Sequence, residues 1–188
     1  MLKKFLPLAL LAMSGAANAG GFMGVGFGES SVDGKAYFST DTLTSMTDSD
    51  TSFKLFGGYA FNSNFTLEGG YASFGEYDAD YVVANSESIE VTALYVAVMG
   101  SIPLGPVSLF GKAGLAHWYV DRSDSGGFSW WSDDATGIDP MFGAGVKIEA
   151  SGNFALRAEF ERFLDVGDRS DTGRSDIDVL SLSGVFTF

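Results

Sequence analysis

Charged side chains recur on one face of several apolar segments of the 188-residue chain, and their placement requires a chemical explanation. Each alternates with apolar neighbours at a spacing of two, which places it on the second face of a predicted strand. A basic group facing lipid costs about 2–4 kcal/mol near the bilayer midplane, and a charge left unpaired in a dry core is also costly. Pairing of opposite charges inside a polar interior that the strands enclose avoids both costs. The predicted network comprises Lys54, Glu68, Lys112, Lys147, Arg157 and Glu159.

Within this network, Glu68 and Glu159 are expected to pair with nearby lysine or arginine side chains. The candidate cations are Lys54, Lys112, Lys147 and Arg157. Glycines on the same strand faces are predicted to make room for these long side chains. They are Gly58, Gly70, Gly114, Gly143 and Gly145.

His117 is the single histidine and the one candidate for a catalytic base. Acyl-transfer chemistry would need a serine and an acid beside it. Asp121, Ser123 and Asp124 follow in the same segment, so a triad is arithmetically possible, but no second strand supplies a marked serine. The sequence therefore favours a non-catalytic protein and leaves an enzyme using His117 as the alternative.

Aspartates crowd the long polar segments, and carboxylates are preferred ligands of Ca²⁺ and Mg²⁺. None of these runs has the D-x-D-x-D-G spacing with a closing glutamate, so neither a metal site nor a cofactor is predicted. A solvated acidic surface is expected instead. Trp130 and Trp131 stand out in one such segment, where they mark either a contact site for a surface partner or a loop folded onto the barrel rim.

The elements that must position these residues are strands. Residues 1–19 read as a secretory signal peptide, with Lys3 and Lys4 before an apolar stretch that is too short for a membrane-spanning helix of about 20 residues. Residues 20–188 are expected to form one domain of 169 residues, 188 less the 19 of the signal. Eight strands are predicted at about 22–28, 51–61, 65–75, 89–101, 107–120, 138–149, 154–163 and 178–188.

The predicted connections alternate between short and long. Short turns lie at 62–64, 102–106 and 150–153, and long polar stretches lie at 29–50, 76–88, 121–137 and 164–177. This alternation is typical of an eight-stranded antiparallel up-and-down barrel in an outer membrane, with short turns facing the periplasm. The facing of the fourth strand stays open, because both of its faces are largely apolar.

The final strand alternates to the last residue, with Leu180, Leu182, Phe186 and Phe188 on one face. Aromatic side chains at strand ends are expected at the membrane boundary. The chain has no cysteine, so a disulfide framework is excluded. Its net charge of −13 argues against nucleic acid as a partner.

Several segments together resemble the transmembrane domain of the OmpA-like outer-membrane β-barrel family. The resemblance covers essentially the whole predicted mature chain. It is carried by residues 56–62, 67–71, 110–115, 156–160 and 180–188.

This resemblance implies a barrel whose lumen holds an ionic network, here matched by Glu68, Lys112, Lys147, Arg157 and Glu159. It also implies that Phe186 and Phe188 mark the chain for the barrel assembly machinery. A peptidoglycan-binding domain is not expected, because the sequence stops at Phe188.

The expected protein is therefore a monomeric, non-catalytic outer-membrane barrel with a structural or surface-interaction role. Its expected contacts are outer-membrane lipids, lipopolysaccharide and an unidentified surface partner. The alternatives are an enzyme that modifies lipid A through His117 and a narrow porin-like channel.

Overall fold

The computed structural model describes residues 20–32, 43–46, 49–81, 86–124, 134–167 and 175–188. Within these ranges no helix is long and apolar enough to cross a membrane. Nine strands account for nearly all described residues. They are β1 (Gly21–Val32), β2 (Leu43–Met46), β3 (Ser49–Ala60), β4 (Phe65–Tyr81), β5 (Ser86–Leu104), β6 (Val107–Asp124), β7 (Asp134–Glu149), β8 (Phe154–Val166) and β9 (Ser175–Thr187).

Eight of these strands form a closed antiparallel ring. The order around the ring is β1, β3, β4, β5, β6, β7, β8 and β9, and β9 pairs again with β1. The short β2 lies outside the ring order and pairs with the far end of β4. The predicted eight-stranded up-and-down barrel is confirmed.

Ring closure uses the two ends of the barrel sequence. β1 pairs with β9 from Phe22 opposite Thr187 to Val32 opposite Ile177. The backbone N–H of Phe188 donates to the carbonyl oxygen of Gly21 at 2.9 Å. The pairing therefore leaves no open edge along this seam.

Three short connections lie at one end of the barrel, here named the turn end, and the opposite end is the loop end. Asn62 begins the first turn, and its Oδ1 accepts hydrogen bonds from the backbone N–H groups of Asn64 and Phe65 at 2.8 and 2.9 Å. Gly105 and Pro106 form the second, with Gly105 at φ +74°, which a two-residue hairpin requires at its first central position. The third spans residues 150–153.

The strands extend further toward the loop end than the sequence pattern predicts. β4 and β5 stay paired as far as Asp80 and Ser86, inside the predicted 76–88 loop. β6 and β7 likewise pair as far as Asp121 and Asp134. Alternation of apolar residues stops at the edge of the apolar zone, whereas backbone pairing continues in polar sequence. The predicted long loops are therefore partly strand.

The two faces of the wall differ sharply in exposure. On β9, Leu180 and Leu182 are 65% and 61% exposed on the outer face, while Ser181 and Ser183 are buried inside. β5 resolves the face that sequence left open: Tyr95 and its alternating neighbours point inward. The result is a barrel that exposes large apolar side chains outward and buries polar ones.

Candidate functional site

Five of the six charged residues predicted from sequence converge in the lumen. β3, β4, β6 and β8 each present a charged side chain inward, and β8 presents three in a row at a spacing of two. Each of the six residues in this group is at most 4% exposed. We name this group the ionic cluster. Its members are Lys54, Glu68, Lys112, Arg157, Glu159 and Glu161.

Glu68 is the centre of one half of the cluster. Arg157 Nη1 lies 2.5 Å from Glu68 Oε2, and Lys112 Nζ lies 3.0 Å from Oε1. The hydroxyl of Tyr95 donates to the same Oε1 at 3.0 Å. Donors from three other strands therefore surround this single carboxylate.

Glu159 and Glu161 form the other half. Lys54 pairs with Glu159 and lies 2.5 Å from Glu161. Lys112 Nζ bridges the two carboxylates at 3.1 and 2.7 Å, and Arg157 Nη2 lies 2.8 Å from Glu159. Three cations and three carboxylates thus balance. Balance matters because a buried charge without a partner carries an uncompensated desolvation cost.

Aromatic rings cover the cations. The guanidinium carbon of Arg157 lies 4.0 Å from the ring centroid of Phe56 and 5.4 Å from that of Phe110. Lys112 Nζ lies 5.1 Å from the centroid of Tyr95. Such contacts stabilise a desolvated cation by about 2 kcal/mol. The aromatic faces therefore supplement the carboxylates.

The inward glycines make room for aromatic rings as well as for charged chains. A Cβ at Gly143 would lie 3.1 Å from Cε of Lys112, and a Cβ at Gly145 would lie 2.8 Å from Cβ of Glu159. At Gly70 the nearest side chain is the ring of Tyr95, at 2.7 Å. The predicted role of these glycines therefore extends to the rings that cover the cations.

The prediction that Lys147 joins the network is wrong. Its Nζ lies 3.4 Å from Glu149, and its side chain is 38% exposed. Lys147 is on the inward face but stands two residues from the end of β7, at the turn end. Because the ammonium group of Lys147 is partly exposed to water at the turn end, its charge is stabilised without a buried carboxylate.

Glu161 is the member of the cluster that the sequence analysis missed. It follows Arg157 and Glu159 at the same spacing of two on β8, and its side chain is 2% exposed. Extending the inward row of that strand by one step would have found it. With Glu161 included, the cluster has as many acids as bases.

A second inward layer lies between the ionic cluster and the loop end. Seven of the eight ring strands contribute a buried apolar side chain to it, and β3 adds the buried Ser52. Phe74 and Phe163 meet at its centre with ring centroids 4.7 Å apart. We name it the apolar layer. Its members are Val32, Phe74, Val91, Trp118, Val120, Met141, Phe163, Ile177 and Val179.

The sequence from residue 5 to residue 188 matches the family described as the outer membrane protein beta-barrel domain. The chain belongs to this family. Outer membrane protein A of Shigella flexneri is 27% identical over 139 residues, which cover 71% of this chain and 39% of that protein. This outer-membrane barrel thus spans about two fifths of the length of that relative.

Solved structures agree with the fold. Neisserial surface protein A superposes with a TM-score of 0.63 at 15% identity, covering 90% of this chain and 98% of that one. The attachment invasion locus protein Ail of Yersinia pestis superposes with a TM-score of 0.56 at 19% identity, covering 91% and 100%. The family and its relatives place this barrel in the bacterial outer membrane.

His117 lies on the outer face of the barrel wall, away from the ionic cluster. Its Nδ1 is 2.7 Å from the hydroxyl of Tyr119, and the two rings have centroids 4.4 Å apart. Ser123 stands six residues further along the same continuous strand, about 20 Å away at the usual rise. A triad of His117 with Ser123 is therefore geometrically excluded within this strand.

Other predicted positions fall at or beyond the limits of the described residues. Trp130 and Trp131 lie outside them, as do residues 1–19 and several of the loop aspartates. Within the described part of the chain, no group of three or more histidine, cysteine, aspartate or glutamate side chains could hold a metal ion.

Phe186 and Phe188 lie at the turn end with their rings 5.6 Å apart, edge to face. Both are 46% exposed on the outer face of β9 and the residue after it. Phe61 and Phe65 are exposed near the same end. Together they form part of an aromatic border to the apolar outer face.

Proposed function

We propose that this protein is a non-catalytic outer-membrane barrel with a structural or surface-interaction role and a lumen closed to solutes. The observation that carries the proposal is the filled cross-section. Two successive inward layers, one ionic and one apolar, are both buried. Eight strands enclose only enough space for side chains, so the lumen serves as a packed core.

A narrow porin-like channel is the first alternative. A water-filled pore would need inward polar side chains with access to solvent along the whole axis. Here Glu68, Phe74, Val120 and Met141 have no measurable exposure. These values favour the closed barrel.

A lipid A-modifying enzyme is the second alternative. It would need a nucleophile and an acid beside His117. The hydrogen-bond partner of His117 is Tyr119, while its cross-strand neighbours are Leu94 and Ile138. An apolar cross-strand setting does not supply the acid that such a mechanism uses to orient the histidine.

We propose that the turn end faces the periplasm and the loop end faces the cell exterior. Residues 1–19 direct export, and the barrel assembly machinery recognises Phe186 and Phe188. Charged side chains lie on the outer face near the loop end, beyond the apolar band. They include Glu29, Glu90, Arg162 and Asp178.

Lipopolysaccharide is the proposed lipid partner at the loop end. Because both this protein and lipopolysaccharide are anionic, divalent cations would have to bridge them. Chelation in detergent containing lipopolysaccharide should therefore lower the melting temperature. An unchanged melting temperature would remove the cation-bridging part of the proposal.

The experiment for the closed barrel combines two measurements on the same refolded protein. Gel migration with and without boiling reports a folded barrel, and planar-bilayer recording reports its permeability. We expect a heat-dependent shift in migration together with no large, stable conductance steps. A shift accompanied by such steps would establish the porin alternative, whereas no shift would count against the folded barrel itself.

A further inference from the structure

We propose that the apolar layer, and not the ionic cluster, is the barrier that stops ions in the lumen. This inference rests on the proposed closed barrel and assigns its closure to particular residues. The two layers are stacked along the axis, so an ion crossing the lumen would have to pass both. The question is which of them stops it.

The order of the layers follows from the strands. On β8, Phe163 follows Glu161 at the next inward position toward the loop end. On β6, Trp118 lies six residues beyond Lys112 in the same direction. The apolar layer therefore separates the ionic cluster from the loop end.

The apolar layer is closely packed across the lumen. Phe74 of β4 and Phe163 of β8 meet edge to face, although these strands lie on opposite sides of the ring. The ring of Tyr95 lies 6.4 Å from Phe163 and joins the layer to the cluster below. Trp118 is held in place by its Nε1, which donates to Asp139 Oδ2 at 2.7 Å.

The contact between the two layers leaves little free space. A void of about 10 Å³ lies there, bordered by Lys54, Phe74, Glu161 and Ser181. That is room for about one water molecule. This void is too small to hold the chain of water molecules that ion conduction requires.

The chemistry of the layers differs in what each can offer an ion. The ionic cluster contains carboxylates and ammonium groups that can exchange partners with a passing ion. The apolar layer offers mainly hydrocarbon and aromatic surface, with Ser52 as its buried polar side chain, so an ion entering it loses most of its hydration with little compensation. Narrow apolar constrictions block conduction by excluding water, and this one spans the lumen.

Two double variants separate the contributions of the layers. Lys54→Met with Glu161→Gln removes one cation and one carboxylate and leaves two of each. Phe74→Ala with Phe163→Ala removes the two rings that meet in the centre of the apolar layer. Phe160→Ala is the matched control, since Phe160 is on β8 but faces outward and is 44% exposed.

Planar-bilayer conductance is compared for variants that keep the heat-dependent gel shift. We expect the Phe74/Phe163 variant to show stable ion-conductance steps that the wild type lacks, as loss of an apolar constriction would produce. The Lys54/Glu161 variant and Phe160→Ala should stay at the wild-type level. A conducting Lys54/Glu161 variant with a silent Phe74/Phe163 variant would assign the barrier to the ionic cluster and overturn the inference.

A labelling measurement covers the case in which an aromatic variant folds poorly in bilayers. The chain has no cysteine, so Ser181→Cys introduces a single thiol beside the void, where the native side chain is 5% exposed. A membrane-impermeant thiol reagent added at the loop end should leave this thiol unmodified. Val120→Thr with Val179→Thr, which makes two buried positions of the layer polar with little change in volume, should expose it. Rapid labelling in the unaltered layer would contradict the inference, while conductance of wild-type protein would instead contradict the proposed closed barrel.

Discussion

Arg157 and Glu68 stand on opposite sides of the barrel and meet in its lumen, with Nη1 2.5 Å from Oε2. Their strands, β8 and β4, are four places apart in a ring of eight. Backbone pairing does not join these strands directly. The ion pair therefore links opposite walls, and several stability effects depend on it.

Glu68→Gln should destabilise the barrel by about 3–5 kcal/mol, the usual cost of removing one partner of a buried ion pair. The substitution keeps the shape of the side chain but leaves Arg157 and Lys112 with one carboxylate fewer. Urea unfolding in lipid vesicles, followed by tryptophan fluorescence, measures the change in the free energy of unfolding.

Two controls test the cause of that loss. Glu149→Gln removes the partner of Lys147 at the exposed mouth and should cost less than about 1 kcal/mol. Adding Lys112→Met to Glu68→Gln restores the balance of charge and should recover part of the stability. If it recovers nothing, packing rather than charge accounts for the effect.

Arg157→Lys should cost about 1.5–3 kcal/mol, the range for hydrogen bonds to charged groups, although the positive charge is kept. Lysine lacks the planar guanidinium group, so it cannot hydrogen-bond to Glu68 and Glu159 at the same time as Arg157 does. It also cannot stack in the same way on Phe56. Arg162→Lys on the same strand is the matched control, because Arg162 binds Asp178 with two hydrogen bonds but is 48% exposed. Equal losses in the two variants would show that burial adds nothing.

His117→Ala should leave lipid A unchanged in mass when the protein is produced in a Gram-negative host. Mass spectrometry of extracted lipid A makes the comparison with wild type and with an empty vector. The expected change in stability is about 0.5 kcal/mol, as for most surface substitutions. A difference in lipid A mass that depends on His117 would revive the enzyme alternative.

Deletion of Phe188 should reduce insertion in cells much more than it reduces the stability of barrels already folded. The deletion removes the backbone hydrogen bond to Gly21 and one aromatic contact with Phe186, while the rest of the β1–β9 ladder remains. Membrane fractionation and urea unfolding of refolded protein measure the two effects. Phe61→Ala, at an exposed aromatic of the same border, should leave insertion near the wild-type level.

The strands were predictable from sequence because successive residues of a barrel wall face the outside and the lumen in turn, and these two environments favour different side chains. Alternation on the final strand correctly assigned Leu180 and Leu182 outward and Ser181 and Ser183 inward. The same argument gave no answer for β5, where inward Tyr95 and Ala97 alternate with outward Val96 and Val98. Both faces of that strand are apolar, so only the folded structure distinguishes them.

The site was only partly predictable, because alternation reports which face a residue takes but not its depth. Lys147 has the correct face for the ionic cluster but lies at the solvated mouth. Phe163 and Trp118 could be placed near the loop end from sequence, yet their union into an apolar layer depends on which strands oppose one another across the lumen. That relationship requires the closed ring and its register.

Closure of the ring between β1 and β9 also has a kinetic consequence. Every strand of the ring has a hydrogen-bonded neighbour on both sides, so neither the first nor the last strand can peel away without breaking two ladders. A single proteolytic cut between residues 125 and 133 would leave both fragments held in place by their neighbours. Such a nicked barrel should remain assembled until several strands separate together. Its lifetime is then set by one high activation barrier to unfolding, and not by gradual loss of single strands.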